Sequence, residues 1–250
     1  GAGADTAQQH EQSTLLGISG NDFVDAANAK TIISWGGNPA EAYVHAWQFV
    51  CDAREKGAKL ITIDPKLTWL AGKSDVFLQL RPGTDAALAM GMLNVIMNED
   101  IYDHDFVENW CYGFDELKER AAEYPLDKVE EITWVPAETI AAATRAIATN
   151  HPSSFMWGLA IDTNSNGVQS VHCLYALVAI TGNLDVPGGL TVGAPNSFMG
   201  KWRYECAQQL PPGMLEKQIT DPKYKGFRAA HLIAHPDCIL DTLETDEPYP

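Results

Sequence analysis

Three short polar turns contain the residues of this sequence that are best suited to bind a ligand. Each turn follows an apolar, β-branched run of the kind that forms a buried strand. At the carboxyl ends of parallel strands such turns expose backbone N–H groups and short polar side chains, and they form ligand sites there. Together they predict one nucleotide-sized site for a phosphorylated ligand. Its candidate residues are Trp35, Gly36, Gly37, Asn38, Pro39 and Glu41 in the first turn, Asp64, Pro65, Lys66 and Thr68 in the second, and Gly83, Thr84 and Asp85 in the third.

The first turn has the composition of a pyrophosphate-binding loop. Gly36 and Gly37 allow backbone angles and close approaches that a Cβ atom would forbid. Pro39 suits the first position of a helix, and Asn38 before it is able to cap that helix or to turn its amide towards a ligand. The dinucleotide fingerprint G-x-G-x-x-G is absent, so a simple tight turn remains the alternative explanation.

The second and third turns each place an acid at the edge of the sheet. Asp64 follows its strand directly, where doubly wound proteins place a carboxylate that accepts hydrogen bonds from ribose hydroxyls. A carboxylate at that position also suits the donor edge of guanine. The alternatives are a simple Asp-Pro turn for Asp64 and a helix cap for Thr84 or Asp85.

Strands and helices alternate along the first 190 residues, which predicts an α/β fold with a parallel, Rossmann-like sheet flanked by helices. Between residues 103 and 150 the pattern is helical, and both Thr133 and Pro136 suit helix starts. The predicted strands cover residues 31–35, 59–63, 76–80 and 153–157, and the predicted helices outside 103–150 cover residues 40–56, 85–99 and 168–181.

Periodicity fades after Gly189, so we expect two parts: an α/β domain over residues 1–190 and an extended, partly irregular segment over residues 191–250. The small polar residues at the beginning carry no recognisable start signal. We therefore expect the chain to be a piece of a longer protein.

Composition excludes several classes of function. A formal net charge of −16 over 250 residues, with scattered lysines and arginines, argues against nucleic acid as a partner. No apolar run approaches the roughly 20 residues that a membrane helix needs, which argues against direct membrane insertion. The five cysteines form no C-x-x-C pair, and His231 and His235 lack the glutamate of the H-E-x-x-H motif. We assign no catalytic residue and no metal ligand within the chain.

A longer series of motifs resembles the molybdopterin oxidoreductases of the dimethyl sulfoxide reductase superfamily. The similarity runs continuously over residues 31–190, and the order and spacing of the motifs make it specific. The motifs are W-G-G-N-P-A-E from Trp35, I-D-P-K-L-T from Ile63, R-P-G-T-D-A-A-L-A-M from Arg81, I-Y-D-H-D-F-V-x-x-W-x-x-G-F-D-E-L from Ile101, V-P-A-E-T-I from Val135 and L-x-x-I-T-G-N-x-D-x-P-G-G from Leu177.

The resemblance implies a molybdenum or tungsten ion held by two molybdopterin guanine dinucleotides, with this chain forming the internal domain that binds one of them. It assigns residues 35–42 to the pyrophosphate and pterin side, residues 64–68 to the nucleoside and residues 83–85 to the guanine end. Gly158 and Leu159 would line the cofactor. Lys66 stands where the family commonly has arginine, and lysine keeps the charge but lacks the bidentate fork.

For the whole protein, the resemblance implies two-electron redox or oxygen-atom transfer on a small molecule. It places a 4Fe-4S cluster and the metal ligand in a region before residue 1. Other domains of the same enzyme, and an iron–sulfur electron-transfer subunit, are the implied partners. The isolated chain is then expected to be inactive and to hold no cofactor. Its location stays open between the bacterial cytoplasm and the outer face of the membrane.

Two alternatives remain at this point. One is a non-catalytic scaffold of the same fold within a respiratory electron-transfer complex, in which the phosphate-binding turns would have decayed. The other is a small nucleotide-binding module that functions alone. The intact glycines and acids of the three turns favour descent from a cofactor-binding domain.

Overall fold

The computed structural model describes residues 23–42 and 44–191, together with Pro211, Leu240 and residues 243–246. Residues 23–191 lie within one compact unit. Nearly all of the predicted irregular segment 191–250, including the histidine pair near its end, falls outside the described residues. The predicted domain boundary at residue 190 therefore stays a prediction.

Four parallel strands form the central sheet, in the order β4-β3-β2-β5. A separate antiparallel pair joins β1 to β6. The predicted parallel α/β sheet is confirmed. The strands are β1 Phe23–Val24, β2 Thr31–Trp35, β3 Lys59–Ile63, β4 Val76–Leu78, β5 Ser153–Trp157 and β6 Leu190–Thr191.

Strand β4 is shorter than the sequence predicts, because it ends at Leu78 and not at residue 80. The Leu78 carbonyl accepts the last bond of the strand, from the Asp64 amide at 3.2 Å. Beyond it the chain turns away from β3, and the Arg81 amide donates to the Thr133 carbonyl at 2.8 Å. A competing backbone partner therefore sets the end of the strand.

Nine α-helices lie within residues 23–191. The predicted helix 40–56 corresponds to α1 and α2, and Tyr43 between them lies outside the described residues. Thr133 was predicted to begin a helix but ends one, and its hydroxyl donates to the Val129 carbonyl at 2.7 Å. The helices are α1 Pro39–Ala42, α2 Val44–Glu55, α3 Asp85–Asn98, α4 His104–Trp110, α5 Phe114–Ala122, α6 Leu126–Thr133, α7 Ala137–Thr149, α8 Leu159–Asp162 and α9 Gly167–Ile180.

Both faces of the sheet are covered, as a parallel sheet requires. Ile33 and Trp35 of β2 point to one face and join a core that includes residues of α3, α7 and α9. Ile32, between them in sequence, points to the other face and packs with Val50 and Ala53 of α2. The period of two along β2 therefore sorts its side chains between two cores.

The order of the strands reverses between β2 and β5. From β2 the chain steps to β3 and then to β4 on one side, and after helices α3 to α7 it returns as β5 on the other side of β2. In open α/β sheets ligands bind in the crevice outside the carboxyl ends of the strands at such a reversal. The topology therefore points to the turns that follow β2 and β5.

Replacing Asn183 with leucine is expected to lower the free energy of unfolding by roughly 1–3 kcal/mol, because it leaves the buried backbone amide of Ser153 without an acceptor. The Asn183 side chain is fully buried, and its Oδ1 accepts from the Ser153 amide at 2.7 Å, where β5 begins. Its Nδ2 also donates to the Thr181 hydroxyl at 2.8 Å. Urea unfolding of the chain measures the change.

Asn109→Leu is the matched control, since Asn109 lies exposed on α4 and donates to the Asp105 carbonyl. Its change should stay within about 0.5 kcal/mol, as is usual for a surface position. Equal stability of the Asn183→Leu variant and the unaltered chain would contradict the stabilising role given to the Asn183 side chain.

Candidate functional site

The turns after three adjacent strands are joined at the carboxyl edge of the sheet. The Gly36 amide donates to the Ile63 carbonyl at 2.8 Å, which ties the β2 turn to the end of β3. The Gly158 amide donates to the Trp35 carbonyl at 3.2 Å, which ties the β5 turn to the end of β2. The predicted first and second turns and the Gly158 turn therefore lie side by side.

Glycine lets the turns after β2 and β5 touch through their backbones. A Cβ atom on Gly37 would lie 3.3 Å from the Gly158 nitrogen, and one on Gly158 would overlap the Gly36 carbonyl oxygen. Gly36 itself has a φ of +60°, a conformation that favours glycine. The contact with Gly158 accounts for glycine at position 37 without a ligand, so approach to a pyrophosphate stays a prediction.

A buried hydrogen bond joins the end of β2 to the start of α3. The Trp35 side chain is fully buried, and its Nε1 donates to Asp85 Oδ1 at 2.9 Å. Asp85 is the first residue of α3 and is only 8% exposed. Burial raises the pKa of Asp85 above its usual range, the Trp35 bond opposes that rise, and the nearby charge of Asp64 adds to it. Two acids, one of them buried, therefore interact at this edge.

The second turn holds Asp64 in a fixed position. Asp64 is half-buried, and its Oδ1 accepts from the Lys66 amide at 2.7 Å. Gln79 donates from Nε2 to the Pro65 carbonyl at 3.0 Å, so the residue after β4 braces the same turn. The Thr68 hydroxyl accepts from the Ala71 amide at 3.1 Å, where the short 3-10 helix Ala71–Lys73 begins. Pro65 and Lys66 are exposed at the surface of the turn.

The third turn reaches across the sheet to the segment after β5. Gly83 has a φ of +80°, and its carbonyl accepts from Asn166 Nδ2 at 3.4 Å. The Thr84 hydroxyl donates backwards to the Arg81 carbonyl at 2.6 Å, so Thr84 precedes α3 without capping it through its side chain.

Sequence reasoning missed Asn164 and Asn166, which lie between α8 and α9. A Cβ on Gly83 would meet Asn164 Oδ1 at 3.7 Å, so both asparagines approach the third turn. The signal was present in the run Asn-Ser-Asn, which follows α8 and directly precedes Gly167, the first residue of α9. Like the other turns, it is a polar segment directly before a helix.

The remaining predicted residues differ in their surroundings. Asn38 Oδ1 is buried, and it has no hydrogen-bond partner among the residues the structure describes. Pro39 is buried as the first residue of α1, whereas Glu41 in the same helix is exposed. Leu159 begins α8 and is 52% exposed. The unpaired oxygen of Asn38 offers an acceptor to a ligand at the β2 turn.

The described residues contain neither a cluster of metal-ligating side chains nor a membrane-spanning helix. No group of three or more histidine, cysteine, aspartate or glutamate side chains is arranged there to hold a metal ion. No helix in the same part of the chain has the length and apolar character to cross a membrane.

Comparison with known proteins points to one family. A family model described as molybdopterin oxidoreductase matches residues 2–234. Acetylene hydratase of Syntrophotalea acetylenica is 38% identical over 221 residues, which cover 79% of this chain and 30% of that protein. Formate dehydrogenase H of Escherichia coli K12 is 32% identical over 213 residues, which cover 84% of this chain and 30% of that protein.

A solved structure agrees with these matches. Acetylene hydratase from Pelobacter acetylenicus superimposes with a TM-score of 0.82 at 33% identity, covering 100% of this chain and 37% of that one. The chain thus spans about a third of the length of the relatives it matches.

Replacing Trp35 with phenylalanine is expected to destabilise the fold in a pH-dependent way. The variant keeps a buried ring but removes the donor to Asp85, so the pKa of Asp85 rises further in the folded state. A folded-state pKa above the unfolded one means that stability falls as pH rises from the unfolded pKa to the folded pKa. The fall should continue to higher pH in the variant than in the unaltered chain.

Shrinking the buried ring costs stability at every pH. The loss in unfolding free energy should therefore be smallest below about pH 4, where the carboxyl is protonated, and should grow by about 1.5–3 kcal/mol towards neutral pH. Urea unfolding at a series of pH values measures it. Trp157→Phe is the control, because Trp157 lies opposite Trp35 in the sheet register at the end of β5. A pH-independent loss in Trp35→Phe, or an identical profile in both variants, would contradict the coupling.

Proposed function

Because the chain belongs to the molybdopterin oxidoreductase family, we propose that its sheet edge binds the guanine nucleotide end of a molybdopterin cofactor. The observation that carries the proposal is the position of two carboxylates at one edge of the sheet: Asp64 directly follows β3, and Asp85 begins α3, where Trp35 of β2 bonds to it. Guanine presents N1–H and a 2-amino group side by side on one edge, and adenine has no such pair of donors. Carboxylates are acceptors and suit guanine.

The residues at this edge fit such a group. Asp85 is oriented by Trp35, and Asp64 by the Lys66 amide, so neither carboxylate has to be ordered when a ligand binds. Asn38 supplies a buried oxygen acceptor without a partner among the described residues. The exposed Lys66 ammonium offers a positive charge to a phosphate.

The turns after β2 and β5 are the proposed contact for the pyrophosphate and the pterin side. They lie at the point where strand order reverses, and their glycines let the two turns contact each other through their backbones. When bound, the cofactor supplies metal-centred two-electron chemistry to the whole enzyme. This chain's residues bind its nucleotide end and fix the position of the rest.

The activity of the whole protein follows as part of the proposal. We assign it two-electron redox or oxygen-atom transfer on a small molecule, with molybdenum or tungsten as the metal. One relative is named a hydratase and others formate dehydrogenases, so similarity over a third of their length selects no substrate. A 4Fe-4S cluster in another domain, an iron–sulfur partner subunit and inactivity of the isolated chain complete the proposal.

The chain is expected to bind GDP more tightly than ADP, by roughly 5- to 150-fold, which corresponds to one buried hydrogen-bonding pair. Asp64→Asn should remove most of this preference. Asparagine retains the oxygen that accepts from the Lys66 amide, but it turns a donor towards the guanine donors. Affinity for ADP should change little. Isothermal titration calorimetry with both nucleotides measures the difference.

Asp127→Asn serves as the control, because it removes the same charge from an exposed position at the start of α6. Equal binding of GDP and ADP by the unaltered chain would contradict guanine recognition. Unchanged GDP affinity in Asp64→Asn would remove Asp64 from the site.

In the whole enzyme, Asp64→Ala is expected to lower the molybdenum or tungsten content per protein molecule. The Tm should shift by no more than about 2 °C, because Asp64 is half-buried in a turn and contributes little to the core. Elemental analysis beside thermal melting measures both. Full metal content in the variant would argue against the site, and metal-free unaltered enzyme would favour the scaffold alternative.

A further inference from the structure

Arg81 is an exposed cation whose backbone is anchored on both sides. Its amide donates to the Thr133 carbonyl at 2.8 Å, and its carbonyl accepts from the Thr84 hydroxyl at 2.6 Å. Its guanidinium carbon lies 5.2 Å from the ring centroid of Trp134. The ion pairs found within the described residues join other side chains, and none includes Arg81. In a chain with a net charge of −16, this guanidinium keeps its N–H groups available for an oxyanion.

Trp134 occupies a backbone conformation that disfavours a side chain. It follows the last residue of α6 with a φ of +67°, where glycine is the usual residue. Its side chain is also 68% exposed, so burial offsets little of the conformational cost. Non-glycine residues held in this region cluster at functional sites. The contact that Trp134 makes with a charged group is its stacking on Arg81.

We propose that Arg81 binds the guanosine-side phosphate of the pyrophosphate, which the turns after β2 and β5 contact from the pterin side, and that Trp134 is the positioning residue that holds its guanidinium. The inference rests on the proposed guanine site, and it adds two residues to it. The N–H groups of a guanidinium point outwards in the plane of the guanidinium itself. Stacking on an aromatic face therefore leaves them able to donate two hydrogen bonds to a phosphate.

The path of the chain supports this assignment. Arg81 begins the turn that continues through Gly83 to Asp85, and the Thr84 hydroxyl closes that turn on the Arg81 carbonyl. The turn over residues 81–85 therefore supplies both Asp85 for the base and Arg81 for a phosphate. The cation is needed there, because Asp64 and Asp85 both repel a phosphate.

The test compares GDP with guanosine, which lacks the phosphates, in calorimetric titrations of the whole chain. Arg81→Gln is expected to weaken GDP binding about 5- to 30-fold and to leave guanosine binding unchanged. Trp134→Gly should weaken GDP binding about 2- to 5-fold, the effect of losing a cation–π contact. The double variant should bind GDP no more weakly than Arg81→Gln, because Trp134 acts through Arg81. Trp134→Phe keeps an aromatic face and should retain most of the affinity.

Thermal melting tests whether Trp134 positions Arg81 or instead stabilises the fold. Trp134→Gly relieves a disfavoured conformation, so its Tm should equal or exceed that of the unaltered chain while its GDP affinity falls. Lys73→Gln is the matched control, since Lys73 lies 5.9 Å from the Trp69 ring centroid and precedes β4 at the other end of that strand. Its GDP affinity should not change.

Failure of this inference is distinguishable from failure of the proposed function. GDP binding that is unaltered in Arg81→Gln, additive losses in the double variant, or a lower Tm in Trp134→Gly would each overturn the inference alone. Absence of binding of both GDP and guanosine to the unaltered chain would overturn the guanine site and the inference with it.

Discussion

The hydrogen bond from Trp35 to Asp85 is the interaction on which the geometry of this edge depends. It joins the last residue of β2 to the first residue of α3, although β3 and β4 intervene in the chain. A buried carboxylate without a donor would be costly, and a buried indole N–H without an acceptor would be costly too. Each group therefore stabilises the other, and the bond fixes where α3 begins relative to the sheet. The same bond therefore also fixes the position of the turn over residues 83–85.

The periodic parts of the fold were predictable from the sequence, because local patterns determine them. Three strands of the sheet, at residues 31–35, 59–63 and 153–157, have the bounds that alternation and β-branching predict. Strand β4 and Thr133 were not placed correctly: the chain after β4 bonds through the Arg81 amide to the Thr133 carbonyl, and the helix at Thr133 ends where Trp134 takes a φ of +67°. Those partners are 52 residues apart in the sequence numbering, and no local pattern reports such a contact.

The candidate site, like the fold, was predictable from the sequence only in part. The sequence indicates which turns carry polar groups, since glycine, asparagine and aspartate after a strand have a physical meaning at each position. It does not indicate that Gly37 faces the backbone of Gly158 or that Asn166 reaches Gly83. These contacts arise because the topology brings separate turns to one edge. They show that glycine at such a turn serves packing between loops as well as access for a ligand.

The acidity of the chain makes the local arrangement of charge decisive. A net charge of −16 repels a phosphorylated ligand at long range, so long-range steering does not favour its approach. Salt at physiological strength screens that repulsion beyond about 8 Å, and close contacts then determine affinity. The proposed site assigns the carboxylates Asp64 and Asp85 to the base, and Lys66 and Arg81 to the phosphates. Under that assignment a dinucleotide has one favoured orientation, because the reversed orientation sets a phosphate against a carboxylate.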